Sequence, residues 1–336
     1  MDKVESTTIE TNHKDLINDV SYDFYGRRMA SCSADQRVKV YDFDEESENW
    51  KISSEWRAGD ASLMRIEWAH PEFGQVLAVC SLDRGVRVYQ EQKGGLHTKA
   101  WVEVAKLMDA RSAVLDISFC PIQHGCKLAA ISADATLRIY EALEPENISS
   151  WTLMDEIKLL PSPPSRNEQS SFCVSWCPSR WRTQCVAVGC MDKAYLYTQN
   201  ASAKWKQIAS LPGHADLVRD IAWAPSMGRL YHLLATASKD GNVRIFKVSI
   251  PLQPNQTNSF EYESPAETTH EPIKVELIGE YDNHKCQVWR CQFNVTGTIL
   301  STSGDDGCIR LWKASYANLF KCISVVSLER KPERAV

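Results

Sequence analysis

Short runs in which apolar and polar residues alternate recur along the whole chain, and they carry its first structural message. Val38-Lys39-Val40 and Val86-Arg87-Val88 repeat with a period of two, as strands covered on one face do. These runs close a thirteen-residue pattern that is most regular in LATASKDGNVRIF (234–246) and LSTSGDDGCIRLW (300–312). Further copies are MASCSADQRVKVY, LAVCSLDRGVRVY and LAAISADATLRIY, ending at Tyr41, Tyr89 and Tyr140, and a shorter VAVGCMDKAYLY ending at Tyr197. In each, a stretch of small apolar residues predicts one strand, an Asp predicts a turn, and the alternating run predicts a second strand. Asp35, Asp83, Asp134, Asp240 and Asp306 each stand six residues before the closing aromatic. Asp240-Gly241 and Asp306-Gly307 suit a tight hairpin, because glycine enters positive φ without a Cβ penalty. A third strand precedes each pair, as in Ile66–Pro71, Ile117–Pro121, Phe172–Pro178 and Ile221–Pro225, and the segment that follows supplies a fourth.

A unit that recurs at a fixed period and cannot cover its own apolar face decides the architecture. The closing aromatics are 48 to 66 residues apart, and the excess over a minimal unit falls in loops. Regular short strands without helical periodicity predict an all-β fold, a six-bladed β-propeller of the WD-repeat kind. The expected organisation is a flexible lead at 1–12, one propeller domain at 13–328 carrying a polar insertion at 248–279, and a flexible tail at 329–336. The fourth unit is irregular: Asp192 lies five residues before Tyr197 and no His precedes it at the usual distance.

The ends of the chain alter this picture. Leu319–Leu328 reads as a strong strand after the last copy, whereas Val4 and Ile9 are the large apolar residues before His13. The sixth unit therefore supplies its own outer strand and the N-terminus has little to lend. The ring is expected to stand open between its first and last blades, with strand edges available to a strand from another chain. The residues placed at that gap are Ile17, Val20 and Tyr22 of the first blade and Val288, Trp289 and Phe293 of the sixth. The alternative is that each packs within its own blade.

His13, His214 and His284 precede Asp35, Asp240 and Asp306 by 22, 26 and 22 residues, and Ser31, Thr236 and Thr302 are placed to join them. A Ser-His-Asp hydrolase is one reading. Recurrence with the repeat argues for the other, a structural staple within each blade, and no catalytic, cofactor or metal residue is assigned. The formal net charge of −5 and the absence of a basic run longer than a pair argue against direct nucleic-acid binding. No apolar stretch approaches the ~20 residues of a membrane span, and the acidic N-terminus is not a secretory signal. A soluble cytosolic or nuclear protein is expected. Its twelve cysteines form no Cys-x-x-Cys pair, so they are read as buried small hydrophobes rather than as zinc ligands or disulfides.

Several stretches lie outside the generic repeat: YDFYGRRMASCSADQRVKVYD, ALEPENISSW, FCVSWCPSRW, LPGHADLVRDIAWAPSMGR and FNVTGTILSTSGDDGCIRLWKASYANLFKCISV. Through them the chain, from about His13 to Ser327, resembles the Sec-thirteen-homologue nucleoporins. That resemblance implies an open six-bladed propeller completed by a blade from an α-solenoid nucleoporin. It implies membership of the Y-shaped nuclear pore subcomplex, with roles in mRNA export and protein import. It also implies a second assembly of SEA/GATOR type at the lysosome or vacuole membrane, acting in amino-acid signalling to the TOR kinase. The related vesicle-coat (COPII-type) propeller is the alternative within the class; ALEPENISSW argues against it.

Overall fold

The computed structural model describes residues 8–93, 99–144, 147–165, 168–178, 184–200, 202–249, 273–315 and 319–327. Its strands form six four-stranded antiparallel sheets, each made of four consecutive strands. The first blade is β1 (Ile17–Tyr22), β2 (Arg28–Ser33), β3 (Arg37–Asp44) and β4 (Asn49–Arg57). The second is β5 (Leu63–Trp68), β6 (Val76–Ser81), β7 (Val86–Lys93) and β8 (Lys99–Leu107). The third is β9 (Val114–Phe119), β10 (Lys127–Ser132), β11 (Thr136–Ala142) and β12 (Trp151–Lys158). The fourth is β13 (Phe172–Trp176), β14 (Cys185–Cys190), β15 (Lys193–Gln199) and β16 (Trp205–Leu211). The fifth is β17 (Val218–Trp223), β18 (His232–Ser238), β19 (Val243–Ser249) and β20 (Lys274–Tyr281). The sixth is β21 (Val288–Phe293), β22 (Ile299–Gly304), β23 (Cys308–Ala314) and β24 (Phe320–Ser327). The molecule is a six-bladed β-propeller, and the first strand of each blade lies innermost.

The turn Asp makes an Asx-type turn in five blades. Its carboxylate accepts the backbone N–H two residues on, from Arg37, Gly85, Thr136, Asn242 and Cys308, at 2.8–3.2 Å. Gly241 and Gly307 take positive φ there, but so do Gln36, Arg84 and Ala135, because the aspartate bond holds the turn even with a Cβ present. The fourth blade is one residue short and turns through Met191-Asp192 alone. All six blades share a bulge between the third and fourth strands at the closing aromatic, namely Tyr41, Tyr89, Tyr140, Tyr197, Phe246 and Trp312. The extra residue increases the local twist and lets the outer strand splay.

One stretch differs from the sequence reading. Residues 274–279 of the polar insertion form most of β20, since Val275, Glu276 and Leu277 pair with the third strand of blade five. Residues 250–272 of the insertion, residues 1–7 of the lead and residues 328–336, which include the whole tail at 329–336, lie outside the described residues. Within the lead, the Asn12 carbonyl accepts a hydrogen bond from Lys39 Nζ, and no described residue before Ile17 joins a strand.

The core lies between blades. The small side of one sheet meets the large side of the next: Ala30, Cys32, Val38 and Val40 of blade one pack on Leu63, Ile66, Trp68, Leu77 and Tyr89 of blade two. Ala235, Ala237, Val243 and Ile245 of blade five likewise pack on Val288, Phe293, Leu300 and Trp312 of blade six. Inner strands lie side by side at five junctions, β1 on β5, β5 on β9, β9 on β13, β13 on β17 and β17 on β21.

An open junction between the first and last blades

The sixth junction is different. Leu63, Ile66 and Trp68 on the inner strand of blade two are 0%, 2% and 8% exposed, whereas their counterparts Ile17, Val20 and Tyr22 in blade one are 40%, 44% and 55% exposed. The opposing face of blade six shows the complementary defect. Ile309 and Leu311 are half-buried where Val86, Val88, Val243 and Ile245 of other blades are fully covered. Ser301 and Ser303 stand on that face where Ala30 and Cys32, or Ala235 and Ala237, stand elsewhere. Two sheet faces that are buried at every other junction thus flank an opening. Each apolar side chain left there, still partly exposed, forgoes roughly half of the about 1.5–3 kcal/mol that full burial gives. Outward on blade one the opening continues into an aromatic group, with Trp50 5.6 Å from Tyr22 and 5.2 Å from Phe43 between ring centroids.

Near the axis, Arg290 of blade six spans the opening. Its Nη2 donates to the Asn18 carbonyl at 2.9 Å and lies 3.7 Å from Asp19.

Of the residues assigned to the gap from sequence, Ile17, Val20 and Tyr22 line it. Val288 and Phe293 do not; they point to the other side of β21 and are buried against blade five. Trp289 stands on the rim, its ring 4.6 Å from the Arg219 guanidinium and its Nε1 donating to Asp305 at 2.6 Å. A bulge between Val288 and Arg290 breaks the simple alternation in that strand. Sequence reasoning missed Ser301, Ser303, Ile309 and Leu311. The hydroxyls of Ser301 and Ser303 at positions otherwise held by Ala, Cys, Ile or Gly were the legible sign.

The histidines form staples. His13 Nδ1 is 2.9 Å from Asp35 and its Nε2 is 2.8 Å from Ser31. His214 spans Asp240 at 3.0 Å and Thr236 at 2.7 Å, and His284 spans Asp306 at 3.1 Å and Thr302 at 2.8 Å. Burial, together with the Arg310 charge and against the Asp306 bond, lowers the His284 pKa. Blades two and three build the same staple from arginine: Arg87 bonds Ser81 and Asp83, and Arg138 bonds Ser132 and Asp134. One trio, His284, Cys286 and Asp306, has metal-ligand elements within 4.8 Å of one another. Arg310 already bonds both His284 and Asp306, supplying the positive charge that a metal would bring.

The largest charged cluster lies on the axis and was not anticipated. Arg65 of blade two reaches Asp116 of blade three and Asp220 of blade five at 2.8 Å each, and Asp19 of blade one at 3.6 Å. Burial opposes the charge on Arg65, but Asp116, Asp220 and Asp19 outweigh it and raise its pKa well above the ordinary value. Burial lifts the carboxyl of Asp116 to about 7, against the pull of Arg65, and lifts Glu67 beside it to about 8. One guanidinium ties four blades together across the axis of a ring with no N-terminal clasp among its described strands. No helix among the described residues is long and apolar enough to cross a membrane.

Three segments of the chain, residues 5–42, 205–247 and 275–313, match the family model "WD domain, G-beta repeat". The chain is 72% identical to the nucleoporin seh1 of Schizosaccharomyces pombe, over 99% of this chain and 100% of the relative. It is 41% identical to the nucleoporin SEH1 of Saccharomyces cerevisiae (96% and 99% covered) and 41% identical to the human nucleoporin SEH1 (97% and 89% covered). Full-length identity at this level, on a WD-repeat propeller, means that the chain belongs to the SEH1 nucleoporin family.

Proposed function

We propose that this chain is a non-enzymatic scaffold of the nuclear pore, at the nuclear envelope, and that an α-solenoid nucleoporin completes its ring by inserting a β-blade between blades one and six. The observation that carries this reading is the pair of uncovered faces: Ile17, Val20 and Tyr22 opposite Ile309 and Leu311. A blade offers an apolar face on each side, so one inserted sheet covers both at once, by the face-to-face side-chain packing seen at the other junctions. Kinship with nucleoporins supports the Y-shaped subcomplex as the setting, with mRNA export and protein import as the processes served. The same docking surface serves a second, SEA/GATOR-type assembly on the lysosome or vacuole membrane that acts on TOR signalling. The repeated His-Asp staples support a structural rather than a catalytic use of those residues.

Co-expression with the α-solenoid nucleoporin of the same organism tests the reading. The expected result is a 1:1 complex that Val20→Asp and Leu311→Asp each weaken about 30-fold or more, since a charge buried at an interface centre costs at least about 2 kcal/mol. A complex formed equally well by both folded variants refutes it.

A further inference from the structure

The five closed junctions obey one rule. A side-chain oxygen on the inner strand of one blade accepts a backbone N–H from the inner strand of the next. Asp19 accepts from Ile66 (3.1 Å), Glu67 from Phe119 (2.8 Å), Asp116 from Val174 (2.8 Å), Ser175 from Trp223 (3.2 Å) and Asp220 from Cys291 (3.0 Å). Blade six departs from it. At the positions where blades one and two carry Asp19 and Glu67 it has Arg290 and Gln292, and Arg290 donates across the opening instead of accepting.

The acids also alternate. Asp19, Asp116 and Asp220 stand on blades one, three and five, and Arg65, Cys173 and Arg290 hold the same position on blades two, four and six. Each aspartate bonds the amide following it in its own strand and also an amide of the next blade. Arg65 thereby stands between carboxylates of the blades on both sides of it, Asp19 and Asp116. Arg290 has an acid-bearing blade on one side, where Asp220 holds the Cys291 amide, and the opening on the other. A strand that enters the opening comes between Arg290 and Asn18 and breaks their 2.9 Å bond. The Arg290 side chain, 34% exposed before entry, is then enclosed. The same strand parts Arg290 from Asp19, 3.7 Å away across the opening and already paired with Arg65. An enclosed cation that loses its counter-charge is strongly unfavourable, and the seventh place in the alternation is one for an acid.

We propose that the innermost strand of the inserted blade carries an Asp or Glu facing the axis, and that this carboxylate takes Arg290 over from Asn18, so that Arg290 selects the occupant of the opening by charge. This rests on the trans-blade reading above and narrows it from any apolar blade to one with an acidic inner strand.

The test uses the full chain co-expressed with the α-solenoid nucleoporin of its organism. Arg290→Glu and Arg290→Met are compared with Val20→Asp in this chain, and each acidic residue of the partner's inserted inner strand is replaced in turn by Arg. Folding is checked by melting temperature. The expected result is that Arg290→Glu weakens the complex about 30-fold or more, that Arg290→Met weakens it less, and that one acid-to-Arg exchange in the partner restores binding to Arg290→Glu alone. The proposal is overturned if Arg290→Glu binds like the parent, or if no exchange restores binding, while Val20→Asp still abolishes it; the trans-blade reading then survives. Should Val20→Asp also bind like the parent, both fall together. If Arg290→Glu does not fold, the exchanges are read against Arg290→Met, and equal loss with every partner variant overturns the proposal.

Discussion

His214 is held at both ring nitrogens, and the two contacts fix its chemistry. A carboxylate accepts from Nδ1, so in the neutral ring Nε2 is left to accept from the Thr236 hydroxyl. A nucleophile's general base needs an accessible face; this ring is buried and used up in cohesion. His214→Ala is expected to cost about 2–4 kcal/mol in denaturant unfolding, because Asp240 and Thr236 both lose a buried partner. Burial works to raise Asp240, but the donors around it, His214 first, bring it down to about 2. Its contribution is therefore present above about pH 4 and is lost only as pH falls towards 2. Glu67 behaves in the opposite sense. With its folded pKa at about 8 against an ordinary value of about 4.3, the fold holds a proton that the unfolded chain releases. Its cost to stability is absent below about pH 4, grows as pH rises and is complete above about 8. Melting curves of Glu67→Gln and of the parent are expected to diverge with rising pH, the variant melting several degrees higher at pH 9. A constant difference from pH 5 to 9 contradicts this.

At the scale of the element, one blade reads well from sequence and the junction between blades reads poorly. The two strands around each turn Asp announce themselves through alternation and through the aspartate. The six bulges at the closing aromatics do not, because a bulge depends on the register of a partner strand far along the chain. Ile17, Val20 and Tyr22 were legible as gap residues, since the first inner strand has no earlier blade to cover it. Val288 and Phe293 were misassigned for a physical reason. A strand's two faces serve two neighbours, and period-two alternation does not say which face meets which. The axial cluster was illegible altogether: Arg65 and Asp220 are 155 residues apart, and each looks like an ordinary polar residue in its strand. Arg65→Met is expected to lower the melting temperature more than loss of any one staple, because it leaves Asp19, Asp116 and Asp220 without a common counter-charge. Adding Asp116→Asn and Asp220→Asn to that variant is expected to recover part of the loss, whereas additive losses refute a shared role for the arginine.

For the whole molecule, the cysteines report how tightly the ring holds together. Nine of the twelve are buried, and burial pushes thiols such as Cys126 and Cys190 up to about 12. Exposed Cys322 is expected to react first with an alkylating reagent, Cys286 and Cys308 more slowly, and the remainder only on unfolding. Mass spectrometry of timed samples checks the order, and early modification of Cys173 or Cys291 near the axis contradicts a closed centre. Because every blade is built from four consecutive strands, no sheet waits for a distant end of the chain. On the ribosome each blade is complete as soon as its own segment has emerged, and it docks on a predecessor that is already there. The bonds that bind the ring as a whole come last: Arg65 meets Asp220 only after the fifth blade is made, and Arg290 meets Asn18, 272 residues upstream, only with the sixth. Order of synthesis thus becomes order of assembly, and the opening is framed only when the sixth blade docks and Arg290 reaches back to Asn18.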